Sequence, residues 1–188
     1  QDLVWATSWG VSTRLMGALI MTQSDDAGLV LPPTLAPLQV VLVPIYKGAD
    51  QMAEIVEALS GIAAELKAAG VRVKLDDDDT KRSGWKFAEY ELKGVPVRLA
   101  MGPRDLAGGT IEVARRDTKE KAFLPTEGIV AHVQGLLVEI QDNLLARAAS
   151  RTADTTTVVN TWDEFVAALD AGGFVSAHWD GTAETEER

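Results

Sequence analysis

The stretch QVVLVPIYKGADQMAEIVEALSGIAAELKAAGVRVKL, residues 39–75, contains the pattern that decides the fold. It begins with Gln39–Pro44, a β-branched run that predicts a short buried strand. Ala49–Ala69 then places apolar residues at helical spacing, and Gly70 suits the end of that helix. Val71–Leu75 alternates like a half-buried strand. A strand–helix–strand unit needs a crossover connection, so this stretch predicts a parallel pair of strands.

Two further strands and a second long helix are predicted downstream of this unit. Pro96–Met101 and Thr110–Arg115 are short apolar runs, and the intervening GPRDLAGG, residues 102–109, has glycines that suit a hairpin or loop. Gly128–Ala149 repeats apolar residues along one helical face. Together these elements predict an α/β domain over residues 38–149, with a mixed sheet of about five strands flanked by helices.

Segments of different composition lie on either side of this domain. LPPTLAP, residues 31–37, is punctuated by proline and predicts a stiff linker that closes a first segment, residues 1–37. Residues 150–188 predict a third module with a connector, a helix and a short strand. Thr161 and Glu164 have the spacing of a capping box at the start of that helix. These elements are too few to close a core, so we expect the third module to be incomplete.

Composition and charge restrict the possible functions. The 188 residues include no cysteine, which excludes disulfides and thiolate zinc sites and fits a reducing cytoplasm. No apolar run suits a membrane span, and the start of the chain has neither a signal peptide nor an initiator Met, so we expect it to begin inside a larger protein. The net charge of −10 opposes nucleic-acid binding, but basic residues gather between Lys81 and Lys121 and predict a local basic surface.

The first candidate binding stretch is SWGVSTR, residues 8–14. A turn, small hydroxyl residues and an arginine at a predicted helix start suit contact with a nucleotide, because a guanidinium can stack on a base or bind phosphate. The alternative is a surface arginine near a helix N-terminus, and the residues alone favour that alternative.

Two stretches resemble one family. TSWGVSTRLMGALIM, residues 7–21, followed by SDDAGLVLPPTLAP, residues 24–37, resembles motif 3 of class II prolyl-tRNA synthetases of the archaeal and eukaryote-like type. GWKFAEYELKGVPVRLAMGPRDLAGGTIEVARRDTKEK, residues 84–121, resembles the GWKF–ELKGVP–R–GPRD–R pattern of that family's anticodon-binding domain. The resemblance covers essentially the whole chain. It implies the C-terminal half of such an enzyme, with the end of its catalytic domain, its anticodon-binding domain and the start of its C-terminal domain.

The resemblance also implies roles for individual residues. In motif 3 it implies that Arg14, the catalytic residue of this segment, stacks on the adenine of ATP and contacts its γ-phosphate, and that Ser12 also contacts ATP. It implies that Trp9 and Gly10 form the floor of the aminoacyl-adenylate pocket. In the anticodon-binding domain, the residues that it implies for binding the two guanines of the proline anticodon are Glu91, Arg98, Arg104 and Arg116.

These residue types suit guanine. Its N1–H and N2–H₂ donors match a carboxylate such as Glu91, and its O6 and N7 acceptors match an arginine fork. Anticodon-loop bases are unstacked and can lie on a sheet. Trp85, Phe87 and Tyr90 are candidates for stacking on such bases, although packing inside the fold is the favoured interpretation. Lys119 is a candidate either for a phosphate contact or for a solvated position.

The remaining charged residues do not predict a metal site. Four consecutive aspartates, Asp76–Asp79, cannot all face one ion, so a solvated loop is the favoured interpretation. His132 stands alone on a predicted helix. His178 is followed by Trp179, where some members of the resembled family have a cysteine used in a zinc site. The sequence therefore supports no zinc and no other metal site in this segment.

The resemblance implies the function of the parent protein as a proline–tRNA ligase. Such an enzyme is a cytoplasmic homodimer that uses ATP and Mg²⁺ to attach proline to tRNA(Pro), with no membrane or DNA partner. This segment would supply anticodon recognition and the motif 3 contact with ATP. One alternative is a non-catalytic RNA-binding module, which the motif 3 string opposes. Another is a class II synthetase for histidine, threonine or glycine, against which the GWKF and ELKGVP patterns favour proline.

We expect this chain by itself not to activate proline. Arg14 lies in a segment without motifs 1 and 2 or a proline-binding loop, so the charge-stabilising groups of the transition state are not assembled around it. The measurement is proline-dependent ATP–pyrophosphate exchange, and exchange by this chain alone would contradict the expectation.

Overall fold

The computed structural model describes residues 3–187, without the side chains of residues 49 and 50. The chain forms two compact units, of which the first ends at Leu144 and the second begins at Leu145. The predicted first segment, residues 1–37, and third module, residues 150–188, include residues 1, 2 and 188, which lie outside the described part of the chain. The division of the chain at residues 37/38 and 149/150 stays a prediction.

The first unit contains a five-stranded sheet and its covering helices. The elements follow along the chain as α1 (Arg14–Gln23), β1 (Val40–Pro44), α2 (Ala49–Ala68), β2 (Val73–Leu75), α3 (Ser83–Leu92), β3 (Val97–Met101), α4 (Pro103–Gly108), β4 (Thr110–Arg115), β5 (Lys121–Pro125) and α5 (Ile129–Asp154), which continues into the second unit. The strand order is β2-β1-β3-β4-β5. β1 is parallel to β2 and β3, whereas the β3–β4 and β4–β5 pairs are antiparallel. The predicted mixed sheet is confirmed.

One face of the sheet forms the main core with α2 and α5. Alternate strand residues such as Leu42, Leu99 and Ile111 are fully buried there, against Leu59 of α2 and Ile140 of α5. This arrangement follows from the two periods of the sequence, since strand residues alternate between faces and helix residues recur on one side.

The opposite face of the sheet is covered only in part. Val41 and Val43 of β1 pack against Tyr90 of α3 and Val95 in a smaller apolar cluster. On the same face of the neighbouring strands, Phe123 is 63% exposed. The β5 edge of this face is therefore open to solvent.

The structure contains elements that the sequence pattern did not predict. α3 and β5 were not predicted, and GPRDLAGG forms α4 rather than a hairpin or loop. Pro103 occupies the first turn of α4, where its missing N–H costs nothing, and the Gly102 N–H donates to Asp105 Oδ2 at 2.8 Å. α5 continues to Asp154, past the predicted end at residue 149.

The second unit has few elements. It contains the end of α5, then β6 (Thr156–Val158), α6 (Trp162–Ala171), β7 (Phe174–Ser176) and α7 (Ala183–Glu187), with β6 and β7 forming a parallel pair. The capping box of α6 is as predicted: the Glu164 N–H donates to Thr161 Oγ1 at 3.3 Å, and the Thr161 N–H donates to Glu164 Oε2 at 3.1 Å. Most side chains of this unit are exposed.

Within residues 3–187, no helix combines the length and the apolar character needed to cross a bilayer.

The segment before the sheet packs closely against the end of α3, and glycines permit this approach. The Leu29 N–H donates to Leu92 O at 3.0 Å. Gly94 has a φ of 69°, and a Cβ atom added to it would lie 2.6 Å from Leu29 O. Neither the backbone conformation nor the space at Gly94 suits a side chain.

We expect Gly94→Ala to lower the free energy of unfolding by roughly 1–3 kcal/mol, because it adds backbone strain and a clash with Leu29. Chemical denaturation of the chain measures the change. The matched control is Gly61→Ala inside α2, where an added Cβ meets nothing within 4 Å and should raise stability by roughly 0.5–1 kcal/mol. Equal effects of the two substitutions would show that the Leu29–Gly94 contact does not constrain the fold.

Candidate functional site

A pocket of about 190 Å³ lies on the open face of the sheet, beside α3. Its walls come from α3, from β3, and from β4 and β5 with the turn between them. The lining residues are Phe87, Tyr90, Glu91, Val95, Arg98, Ala114, Arg115, Arg116, Lys119 and Lys121. The strand register explains the cluster, because Arg98 pairs with Ala114 and Ala114 pairs with Lys121 in one row across the sheet. Three of the four predicted anticodon-binding residues therefore line one pocket.

Arg98 is held by a ring on one side and a carboxylate on the other. Its guanidinium lies over the Phe87 ring, with the central carbon 3.5 Å from the ring centroid. One terminal nitrogen donates to Glu112 Oε1 at 2.6 Å. Burial lowers the pKa of Arg98, while the charges of Glu112 and Glu91 oppose that shift. Among the described residues, nothing accepts a hydrogen bond from its buried Nε.

An unsatisfied buried donor costs about 1–3 kcal/mol of desolvation free energy, so a pocket that contains one favours a ligand with a matching acceptor. The side chain of Arg98 is only 12% exposed, yet Arg98 lines the pocket.

Glu91 brings a carboxylate to the same pocket from the last turn of α3. Within the described part of the chain, the Glu91 side chain makes no hydrogen bond or ion pair. The pocket thus holds an acceptor group and a donor group side by side, both with unused hydrogen-bonding capacity.

A buried ion pair sets the position of α3. Lys86 is 1% exposed, and its Nζ lies 3.2 Å from Asp76 Oδ1 and 2.7 Å from the Asp76 carbonyl oxygen. The Tyr90 hydroxyl donates to Asp76 Oδ2 at 2.9 Å. These bonds connect α3 to the end of β2 across β1, and they place Phe87 and Glu91 beside Arg98.

Asp76 differs from the solvated loop predicted for Asp76–Asp79. Its side chain is only 10% exposed, whereas Asp77, Asp78 and Asp79 are exposed. One sequence signal could have indicated the burial of Asp76. It directly follows β2, where a carboxylate reaches the buried face of the following helix. The burial of Lys86 was not predicted, because nothing in the local sequence GWKF distinguishes a buried lysine from a solvated one.

The β4–β5 turn forms the basic rim of the pocket. Arg115 Nη2 lies 2.9 Å from Asp117 Oδ2, and Asn143 of α5 donates to the same oxygen at 2.7 Å. Burial raises the pKa of Asp117, but hydrogen bonds from Arg115 and Asn143 outweigh it, so the pKa is lowered. Lys119 follows in the turn with a φ of 62°, a left-handed conformation that is uncommon outside glycine.

Arg116 lines the pocket but is engaged with other parts of the protein. Its side chain is 4% exposed, and its two terminal nitrogens bind the Asp25 carboxylate at 2.9 and 2.6 Å. Its Nε donates to the Glu91 carbonyl at 3.1 Å and Nη2 donates to the Gly28 carbonyl at 3.1 Å. The prediction that Arg116 binds the anticodon stays a prediction, and its hydrogen bonds point to a different role.

Arg104 is not among the residues that line this pocket. It is exposed in the first turn of α4, which follows the opposite end of β3 from Arg98. The structure therefore brings Glu91, Arg98 and Arg116 together and places Arg104 apart from them.

The four predicted residues of the first segment lie close together in the chain, at and before the start of α1. The Arg14 N–H donates to Ser12 Oγ at 3.3 Å, and both residues are exposed. Trp9 is 94% exposed, and Gly10 is exposed as well. Their predicted contacts with ATP and the adenylate stay predictions.

In residues 3–187, no three His, Cys, Asp or Glu side chains are grouped so that they could hold a metal ion. His178 Nε2 instead lies 3.2 Å from Asn160 Oδ1 in the second unit.

The Asp76–Lys86 ion pair predicts how the stability of the fold depends on pH. Burial raises the pKa of Asp76, but hydrogen bonds from Tyr90 and Lys86 outweigh it, so the pKa is lowered. A lowered carboxyl pKa stabilises the fold above the unfolded pKa of about 4, and this contribution is lost as the pH falls below that value. We expect Asp76→Asn to lower stability at pH 7 by roughly 3–5 kcal/mol, because Lys86 stays buried without a counter-ion.

Urea unfolding at pH 7 and at pH 3 measures this effect. The difference between Asp76→Asn and the unchanged chain should be smaller at pH 3. Asp77→Asn is the matched control, since Asp77 is exposed and should change stability little at either pH. If Asp76→Asn lowered the free energy of unfolding equally at pH 7 and at pH 3, the assignment of an ionised Asp76 paired with Lys86 would be contradicted.

Comparisons with known proteins identify the fold of this chain. Residues 39–136 match the family model described as an anticodon binding domain. The proline–tRNA ligase of Parabacteroides distasonis is 60% identical over 186 residues, which are 99% of this chain and 38% of that protein. The proline–tRNA ligase of Porphyromonas gingivalis is 58% identical over 188 residues, and that of Bacteroides fragilis is 59% identical over 187 residues.

The chain spans 38% of the length of these relatives. The identity extends over both stretches that resemble prolyl-tRNA synthetases, residues 7–37 and 84–121, and confirms that resemblance. The family match covers β1 to β5 and the first turns of α5, a range that includes the elements lining the pocket. The chain belongs to the anticodon-binding domain family.

Proposed function

We propose that this chain recognises the anticodon of tRNA(Pro) as part of a proline–tRNA ligase, with a guanine of the anticodon bound in the pocket between Glu91 and Arg98. The observation that carries the proposal is that the Arg98 guanidinium, which lies over Phe87, lines the same pocket as the free carboxylate of Glu91. The names of the relatives, proline–tRNA ligases, support the choice of partner.

Guanine matches the two groups in the pocket. A carboxylate accepts hydrogen bonds from N1–H and N2–H₂ of guanine together, and an arginine donates to its O6 or N7. At about 190 Å³ the pocket is smaller than the roughly 300–1,000 Å³ of typical ligand sites, which suits one base and not a whole nucleotide. Arg98 covers the face of the Phe87 ring, so the base would meet the edge of the guanidinium, where its N–H groups point, and would not stack on the ring.

Local charge supports RNA binding in spite of the net charge of −10. Lys119 and Lys121 stand at the rim of the pocket, and the Lys119 side chain is 56% exposed. Exposed lysines at a rim suit phosphate oxygens, while the groups inside the pocket supply base selectivity. Arg104 would then contact a second base or the RNA backbone at the far end of β3.

The remaining parts of the proposal concern the whole ligase. Arg14 and Ser12 would contact ATP, and Trp9 and Gly10 would form the floor of the adenylate pocket. Residues 1–37 would be the end of a catalytic domain, residues 38–149 the anticodon-binding domain and residues 150–188 the start of a C-terminal domain. The parent enzyme would be a cytoplasmic homodimer that binds proline, ATP and Mg²⁺.

Among the described side chains, none are grouped so that they could hold Mg²⁺ in this segment. The share of this chain in the reaction is to position tRNA(Pro) and to present Arg14 to ATP.

The proposal differs from its alternatives in measurable ways. A non-catalytic RNA-binding module would keep the anticodon pocket without a need for Arg14. A histidine, threonine or glycine enzyme would prefer a different anticodon stem-loop. The relatives favour a proline–tRNA ligase over both.

The test is binding of anticodon stem-loop RNAs, measured by fluorescence anisotropy. One of the two anticodon guanines at a time is replaced by inosine, which lacks the N2 amino group, or by 7-deazaguanine, which lacks N7. We expect inosine at one position to weaken binding about 10- to 100-fold, because it removes a donor to Glu91, and Glu91→Gln to abolish that difference.

The second part of the binding test uses the Arg98→Lys variant. It keeps the charge but loses the planar fork and the buried Nε, so we expect about 10-fold weaker binding of the guanine RNA or more. Lys121→Met is the control at the rim and should weaken all RNAs equally. Equal affinity of the unchanged chain for proline, glycine and histidine stem-loops would overturn the proposal.

A further inference from the structure

We infer that Arg116 and Asp25 are a positioning pair for the anticodon pocket: they hold Glu91 in place from behind and connect it to the segment that follows α1. This inference rests on the proposed function and adds a role for Asp25, which lies outside the pocket. Arg116 is then a positioning residue and makes no contact with the base.

The geometry of Arg116 supports this role. Four hydrogen bonds leave its guanidinium, two to the Asp25 carboxylate and one each to the carbonyls of Gly28 and Glu91. An arginine has five N–H donors, so almost all of its capacity is used inside the protein. At 4% exposure the side chain has little surface left for a ligand.

The bond to the Glu91 carbonyl is the link to the pocket. Glu91 lies in the last turn of α3, where backbone carbonyls lack helical partners. The carbonyl receives the Arg116 Nε–H at 3.1 Å and the Gly94 N–H at 3.0 Å. These bonds fix the main chain of Glu91 and thereby limit where its carboxylate can stand.

Asp25 holds Arg116 in the orientation that this bond needs. The Asp25 carboxylate binds both terminal nitrogens of Arg116, and Lys119 Nζ lies 3.3 Å from Asp25 Oδ2. Asp25 itself is fixed by a tight turn, in which its N–H and carbonyl both bond to Gly28. The hydrogen bond from Arg116 lowers the pKa of Asp25 well below its usual range, so Asp25 is ionised at neutral pH.

Electrostatics and positioning predict opposite effects for Asp25→Asn. RNA is a polyanion, so removal of a carboxylate near the pocket should by charge alone strengthen binding. If Asp25 acts through Arg116, the same substitution should weaken recognition of guanine, because Arg116 and the end of α3 lose their fixed orientation. The sign of the change therefore separates the two effects.

The experiment measures the affinity ratio between guanine and inosine stem-loops for Asp25→Asn, Arg116→Lys and the double variant. We expect each single substitution to reduce this ratio on the order of tenfold, and the double variant to reduce it no further. In a Glu91→Gln background, neither substitution should change the ratio. Asp26→Asn is the matched control, since it removes the same charge at an exposed neighbour and should leave the ratio intact.

Each outcome decides the inference. The inference is supported if Asp25→Asn reduces the guanine-to-inosine affinity ratio while thermal unfolding shows that the variant is folded at the assay temperature. A ratio that survives in Asp25→Asn but is lost in Arg116→Lys would overturn it and make Arg116 a direct contact. A ratio unchanged in both would also overturn it, and failure of the unchanged chain to distinguish the two RNAs would overturn the proposed function and this inference together.

Arg116 is buried and Arg116→Lys can fail to fold, so Asp25→Asn, at a carboxylate 37% exposed, is the decisive variant.

Discussion

The buried contact between Lys86 and Asp76 is the constraint on which the site depends. A lysine with 1% exposure is stable only with a counter-ion and satisfied donors, and Asp76 supplies both through its carboxylate and its carbonyl oxygen. The pair fixes α3 against one half of a sheet face. The β5 edge of that face stays open, and the pocket forms between α3 and this edge.

The groups inside the pocket are positioned from several directions. Phe87 supports the Arg98 guanidinium, and Glu112 of the neighbouring strand holds one of its terminal nitrogens. The Arg116–Asp25 pair holds the end of α3, which carries Glu91. Side chains that are fixed in this way lose little conformational entropy when a ligand binds, so the pocket is preorganised for the planar base proposed as its ligand.

Charge is organised in the same manner, by local pairing within an acidic protein. The guanidiniums of Arg115 and Arg116 are neutralised by Asp117 and Asp25, and they serve the architecture of the β4–β5 turn. At the rim, Lys121 is exposed, and Lys119 keeps 56% of its side chain exposed although its Nζ lies 3.3 Å from Asp25 Oδ2. A count of basic residues between Lys81 and Lys121 therefore overstates the number available for RNA, because several are engaged in internal ion pairs.

The sequence by itself determined the parallel β1–β2 pair, the two long helices and the mixed sheet, because period and turn residues are local properties of a chain. By resemblance it also predicted Glu91 and Arg98 as guanine-binding residues; the structure places both in one pocket, and their role stays a prediction. The tertiary structure alone decided that Arg98 stacks on Phe87 with an unsatisfied Nε, that Arg104 lies apart, and that Arg116 faces Asp25. These features depend on contacts between residues far apart in the chain, and no local pattern records which charge will be buried or which partner it will meet.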